Sequence, residues 1–150
     1  MSTSPAVELD HGDKTLHMNL FVWTDALATG NRFIDQDHHL LVVHVNAVLQ
    51  AIAQKQPGHH LTLILNDLVT FTREHFEREE AEMRRIAFKN ADMHMAEHVR
   101  LLVQIDEVRE QLRAGQDIRK MDLYQFLTWW VKDHIRLLDT ELAAALHQFR

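Results

Sequence analysis

The chain has 150 residues, a formal net charge of −6, 12 histidines and no cysteine, with 46% hydrophobic and 25% charged residues. One globular domain with a single sizeable core is expected, and the acidic balance gives no reason to expect nucleic acid or an anionic membrane as a partner. Zero cysteines exclude disulfides and thiolate metal sites and fit a reducing cytoplasm, and no stretch approaches the roughly 18 apolar residues of a membrane span.

The amino terminus, MSTSPAVELDHGDK, has no basic region followed by an apolar run, so no signal peptide is expected. Residues 1–19 read as an arm and 20–150 as the domain proper. The chain turns apolar at LFVW, Leu20 to Trp23, which predicts that this segment packs on the domain.

Four helical patterns follow, at roughly 31–54, 61–85, 91–114 and 120–148. The first carries Ile34, Leu41, Val45, Val48 and Ile52 at three-four spacing, and the same seam includes His38. The second carries Leu61, Leu65, Leu68, Phe71 and Met83, and its seam passes through His75 and Glu79. In the third, His94 and His98 precede Leu101, Ile105, Val108 and Leu112 on one face. In the fourth, Leu123, Leu127, Trp130 and Leu137 surround His134. Gly58 and Gly115 suit helix ends that need a left-handed residue. In IAFKNAD, which has no glycine, Asn90 could take that conformation or Asp92 could cap the next helix. Short linkers make sequential helices antiparallel, so the fold class is all-α, an up-down-up-down four-helix bundle with an N-terminal arm.

Residues four apart share a helix face, so His75/Glu79 and His94/His98 can each aim two side chains at one point. At 1.5 Å per residue, antiparallel pairing brings these groups and His38 and His134 within about two turns of one level. Neither pair alone is specific in so histidine-rich a chain. His39 is rotated about 100° from His38 and leaves the layer. His11, His17, His44, His59, His60 and His147 do not converge on it and read as packing or surface residues. Five histidines and a carboxylate at one level would cost several kcal/mol each if buried without compensation, and a metal centre satisfies them together. The set has too many ligands for one zinc and too much nitrogen for calcium or magnesium, which leaves iron or manganese, with a count that suggests two ions. The paired Glu-x-x-His motifs of ferritin-like centres are missing: the one instance, Glu8/His11, lies in the arm.

FVWTD at 21–25, IDQDH at 34–38, HFEREEAEM at 75–83, HMAEH at 94–98 and WWVKDHIRLLD at 129–139 together resemble the hemerythrins, in particular the single-domain bacterial ones. The resemblance covers roughly residues 20 to 147, and the combined spacing of these elements is highly specific. One departure is Asp37, where the family usually has glutamine; it precedes a ligand without being one, and reads as a minor change. The resemblance implies a seventh ligand, Asp139. An ideal helix turns residue 139 about 140° away from His134, so a π-bulge or side-chain reach is needed. It further implies that His94, His98 and His134 hold one iron and His38 and His75 the other, bridged by Glu79, Asp139 and an oxo or hydroxo group. The cofactor so implied is a pair of non-heme irons, with an open position on the two-histidine side. The implied function is non-enzymatic, reversible dioxygen binding for transport, storage, delivery or sensing. The alternative is a peroxidase- or oxidase-like, nitric oxide or iron-handling protein with the same centre. Candidates for an apolar lining are Ile34, Leu41, Leu101, Trp130 and Leu137, and Trp23 and Trp129 read as packing residues.

Overall fold

Asn31 starts the first helix. Its side-chain oxygen accepts a hydrogen bond from the Ile34 N–H at 3.0 Å, satisfying one of the amides that a helix N-terminus leaves free. Asp35, in the first turn, accepts from the Thr29 amide at 2.8 Å and from the Thr29 hydroxyl at 2.7 Å, which fixes the loop entering the helix. In this computed structural model, which describes residues 8–9, 16–17, 20–116 and 118–149, α1 runs over Arg32–Ala53, α2 over Gly58–Arg85 and α3 over Ala91–Arg113. The fourth rod is α4 (Lys120–His134), a π-helical turn (Ile135–Asp139) and α5 (Thr140–Gln148). Right-handed helical dihedrals at both junctions, Ile135 and Thr140, keep these three segments continuous. The architecture is the all-α four-helix bundle expected.

Most of the 1–19 arm lies outside the described residues; Glu8–Leu9 and Leu16–His17 pair as a two-residue antiparallel ladder. The segment after it packs on the bundle, as its apolar character predicts. Phe21 is buried in the main core, and its backbone is clamped by one side-chain amide. The Phe21 N–H donates to Asn46 Oδ1 at 2.7 Å, and Asn46 Nδ2 donates back to the Phe21 carbonyl at 2.9 Å.

Three helix ends close alike. Gln56, Phe88 and Gln116 donate their amides to Ala51, Met83 and Gln111, and the residue before each donates to the carbonyl three back. This pairing puts its central residue in the left-handed region. Gly115 takes that place after α3, as expected. The other two positions differ from expectation: Lys55 (φ 55°) and Ala87 (φ 50°) fill them, Gly58 is the first residue of α2, and Asn90 is neither left-handed nor a side-chain cap. The hydrogen-bond pattern, not the residue type, selects the conformation here.

The core is divided. A large apolar cluster (including Leu41, Val45, Leu65, Phe76, Leu101, Leu127 and Trp130) fills most of the bundle. A smaller one (Ile34, Met83, Ile86, Leu142, Ala143 and Leu146) closes one end. A polar layer lies between the two clusters, with His38, Glu79 and Asp139 falling between their members along the first, second and fourth rods.

Candidate metal centre

The layer is assembled by helical repeats. His38 comes from α1, His75 and Glu79 from consecutive turns of α2, His94 and His98 from consecutive turns of α3, and His134 from the end of α4. All are buried. Asp139 is fully buried as well, and the π turn explains how. A π turn closes i to i+5 instead of i to i+4, so residue 139 takes the inward place that 138 has in an α-helix. The Thr140 hydroxyl donates across the same interval to the Ile135 carbonyl at 3.2 Å. The slower rotation carries Leu137 outward: it is 70% exposed and does not line the centre, contrary to the regular seam. Trp129, read as packing, is likewise exposed, whereas Ile34, Leu41, Leu101 and Trp130 are buried.

All seven candidate residues come together. One ligand atom each from Glu79, His94, His98, His134 and Asp139 lies within 4.8 Å of the others, and the same holds for His38, His75, Glu79 and Asp139. The two groups share Glu79 and Asp139, so three histidines stand on one side of a carboxylate pair and two on the other. Asp139 Oδ2 is 2.8 Å from His38 Nε2, while its Oδ1 is 3.0 Å from His94 Nε2 and 3.3 Å from His134 Nε2. Glu79 Oε1 is 3.1 Å from His75 Nε2 and 3.4 Å from His98 Nε2.

These approaches are close without being well-directed hydrogen bonds. The Nε2 atoms of all five histidines and all four carboxylate oxygens are buried with no hydrogen-bond partner. Buried polar atoms are rarely left so. Nine orphaned donor atoms converging from four rods fit a metal centre of nitrogen and oxygen ligands, and the donor set suits iron.

The other ring nitrogen of two histidines is engaged. His75 Nδ1 lies 2.9 Å from Asp37 Oδ2, and His98 Nδ1 lies 2.8 Å from Glu80 Oε2. A carboxylate only accepts, so each Nδ1 carries the proton and each Nε2 is left as the ligand nitrogen. Asp37 and Glu80 are the residues that sequence reasoning missed. Glu80 follows a predicted ligand in EREE, but nothing in the linear pattern shows that it reaches α3. Burial pulls the His75 imidazole down, but the charge of Glu79, the hydrogen bond with Asp37 and the close approach of the Glu79 carboxylate outweigh it and push the pKa up to about 10. Asp37 moves the other way: burial raises it, but hydrogen bonds from His75 and Arg78 bring it down to about 2. Burial and the neighbouring carboxylate both raise Glu79, and the positive charge of His75 more than offsets them; Asp139 is lowered further, chiefly by His134 against the effect of burial.

Aromatic rings support the imidazoles. Phe76 stacks on His98 at 3.7 Å between centroids. Trp23 lies over the first turns of α1, tilted against exposed His39 at 4.0 Å between centroids and 6.5 Å from the His38 ring. His44 stacks on Phe71 at 4.9 Å as a packing residue and is not among the converging ligand groups. His59, His60 and His147 are exposed, and His11 lies outside the described residues. A cleft of about 710 Å³ reaches His75 and Glu79 from the surface, walled by Ile34, Asp37, Arg78 and Leu142 among others. A cleft of about 300 Å³ reaches His134 on the opposite side. Among the described residues, no helix is long and apolar enough to cross a membrane.

A family model described as the hemerythrin HHE cation binding domain matches residues 29–146. A bacteriohemerythrin of Pseudomonas paraeruginosa is 30% identical over 115 residues, covering 77% of this chain and 74% of that protein. One of Stenotrophomonas maltophilia is 30% identical over 136 residues, 88% of each chain. A crystal structure of wild-type hemerythrin aligns with a TM-score of 0.79 and 26% identity, covering 85% of this chain and 98% of that one.

Proposed function

The chain belongs to the hemerythrin family, and we propose that it binds dioxygen reversibly, as a non-enzymatic carrier or store, at a pair of non-heme irons. His94, His98 and His134 would hold one iron and His38 and His75 the other, with Glu79 and Asp139 shared between them. A pair of ferrous ions held there would supply the two electrons that dioxygen takes up on binding and returns on release.

The observation that carries this reading is the division of five histidines, three against two, about two common carboxylates. It leaves fewer protein donors on the His38/His75 side, and the larger cleft opens on that side. The chain's own contribution is to fix the imidazoles and keep water scarce. Ile34, Leu41, Leu101 and Trp130 enclose the layer with apolar surface, and the burial strengthens every charge interaction within it. Among the described residues, the charged partners of Glu79 and Asp139 are all histidines, the residues that would hold the metal. A cytoplasmic setting fits the cysteine-free composition and is part of the proposal.

An oxygen cycle tests it. Anaerobically reduced, iron-loaded protein is expected to gain an oxygen-dependent absorption band on exposure to air and to regain the deoxy spectrum under argon. Decay to the ferric state without recovery, together with turnover of added hydrogen peroxide, would replace the carrier reading with a redox enzyme of the same centre. Glu79→Ala is expected to lose the two-iron stoichiometry by metal analysis; a variant that keeps two irons and normal oxygen binding would remove Glu79 from its shared position.

A further inference from the structure

Asp37 occupies a position with no direct claim on a metal, yet it is the most connected carboxylate next to the cluster. Its Oδ2 accepts from His75 Nδ1 at 2.9 Å and from Arg78 Nε at 2.8 Å. Arg78 is held in turn over the Phe71 ring at 5.7 Å. The chain of contacts runs from a fully buried imidazole through a carboxylate 18% exposed to a guanidinium 50% exposed, along the wall of the larger cleft. The three-histidine side has a looser counterpart: His98 to Glu80 at 2.8 Å, then Glu80 to Arg84 at 3.8 Å.

We propose that Asp37 is a positioning residue for the two-histidine side of the centre, where its charge, partly neutralised by Arg78, sets the donor strength of His75 and so the redox balance of the iron that His75 holds. This rests on the di-iron reading of the site. A carboxylate that accepts the Nδ1 proton draws positive charge out of the ring, fixes the tautomer and makes Nε2 a stronger donor. A stronger donor favours the ferric over the ferrous ion and lowers the reduction potential. Arg78 acts against this by drawing the same oxygen towards itself. The two residues therefore have opposite effects on one imidazole, which a purely structural clamp would not have.

Paired variants test it. Asp37→Asn keeps an oxygen acceptor of the same size but removes the charge; Arg78→Gln leaves the charge and removes its counter-ion. In spectroelectrochemical titrations of the iron-loaded proteins, Asp37→Asn is expected to raise the potential of one of the two irons and Arg78→Gln to lower it. Competition with a chelator is expected to show a 10–100-fold loss of affinity for one of the two metal ions in Asp37→Asn, the usual effect of removing an outer partner of a ligating histidine. In zinc-loaded protein, which is diamagnetic, the His75 Nδ1–H is expected as a downfield, slowly exchanging proton resonance that is missing in Asp37→Ala. Unchanged potentials in a folded Asp37→Asn, or shifts of the same sign in both variants, would overturn the proposal. Failure of the oxygen cycle in the wild type would overturn the carrier function but leave these shifts measurable, so the two readings fall separately.

Discussion

Thr72 is fully buried one turn before His75, and its hydroxyl has no hydrogen-bond partner. A buried hydroxyl left unpaired costs about 1–3 kcal/mol. Valine has nearly the same shape without that cost, so Thr72→Val is expected to stabilise the protein by about 1 kcal/mol, read as a rise of about 2–4 °C in melting temperature for a chain of this size. A drop instead would mean that the hydroxyl is paired in solution, for instance with water in the ligand layer. Thr72 shares its face with His75 and Glu79, and its neighbours show which residues of the centre were legible in sequence and which were not. His38, His75, Glu79, His94, His98 and His134 announce themselves because each continues an apolar seam in which a polar group demands a partner. Asp37 does not. It lies on the next helical position from His38, half-buried, and acquires its role only through His75 and Arg78 on α2, a contact between residues some forty apart that no local pattern encodes.

The π turn is the element on which the centre depends most. Helical periodicity at 3.6 residues places Leu137 inside and Asp139 outside, and the structure reverses both. The four rods and their faces follow from three-four spacing, but a one-residue change of register inside a helix leaves no trace in composition, and only the family resemblance implies it. The turn behaves as one extra residue in an α-helix, which gives a test by length. Deleting Arg136, an exposed residue of the turn, is expected to regularise the helix, return the aspartate to the position four after His134 and keep two metal ions per chain. Inserting an alanine after Arg136 rotates the aspartate by about a further 100° and is expected to abolish the second ion while leaving the helical circular dichroism largely intact. Loss of both ions in the deletion variant would show that the aspartate reaches the site in another way. The helix ends offer a milder test of the same kind. Ala87 is exposed and held at φ 50° with its Cβ in an unfavourable position; Ala87→Gly removes a penalty of about 1 kcal/mol and is expected to raise the melting temperature correspondingly.

At the scale of the whole molecule, two apolar clusters are separated by a layer with two fully buried carboxylates, whose negative charge must be balanced from within. In apoprotein the balance comes from protons. His75 is pushed up to about 10, and His134 is also raised: burial lowers it, but the charge of Asp139 and a contact with it more than compensate. A raised histidine contributes stability that is fully present below its unfolded value of about 6.5 and is lost as pH rises through the folded value. Glu79 and Asp139, both lowered, contribute stability present above the ordinary carboxylate range and lost on acidification. Apoprotein is therefore expected to be most stable between about pH 4.5 and 6.5, with denaturant midpoints that fall steadily from pH 6.5 towards 10. Metal ions take the same Nε2 atoms and the same charge-balancing role, so loading must displace protons. Adding ferrous ion anaerobically to weakly buffered apoprotein near pH 8 is expected to release a proton from His75, visible with a pH indicator, and to flatten the alkaline limb of the stability profile. An apoprotein whose stability is level from pH 6.5 to 10, loaded without proton release, would mean that the carboxylates are neutralised by their own protons instead. The bundle would then be holding its charge in a different place from the one the geometry indicates.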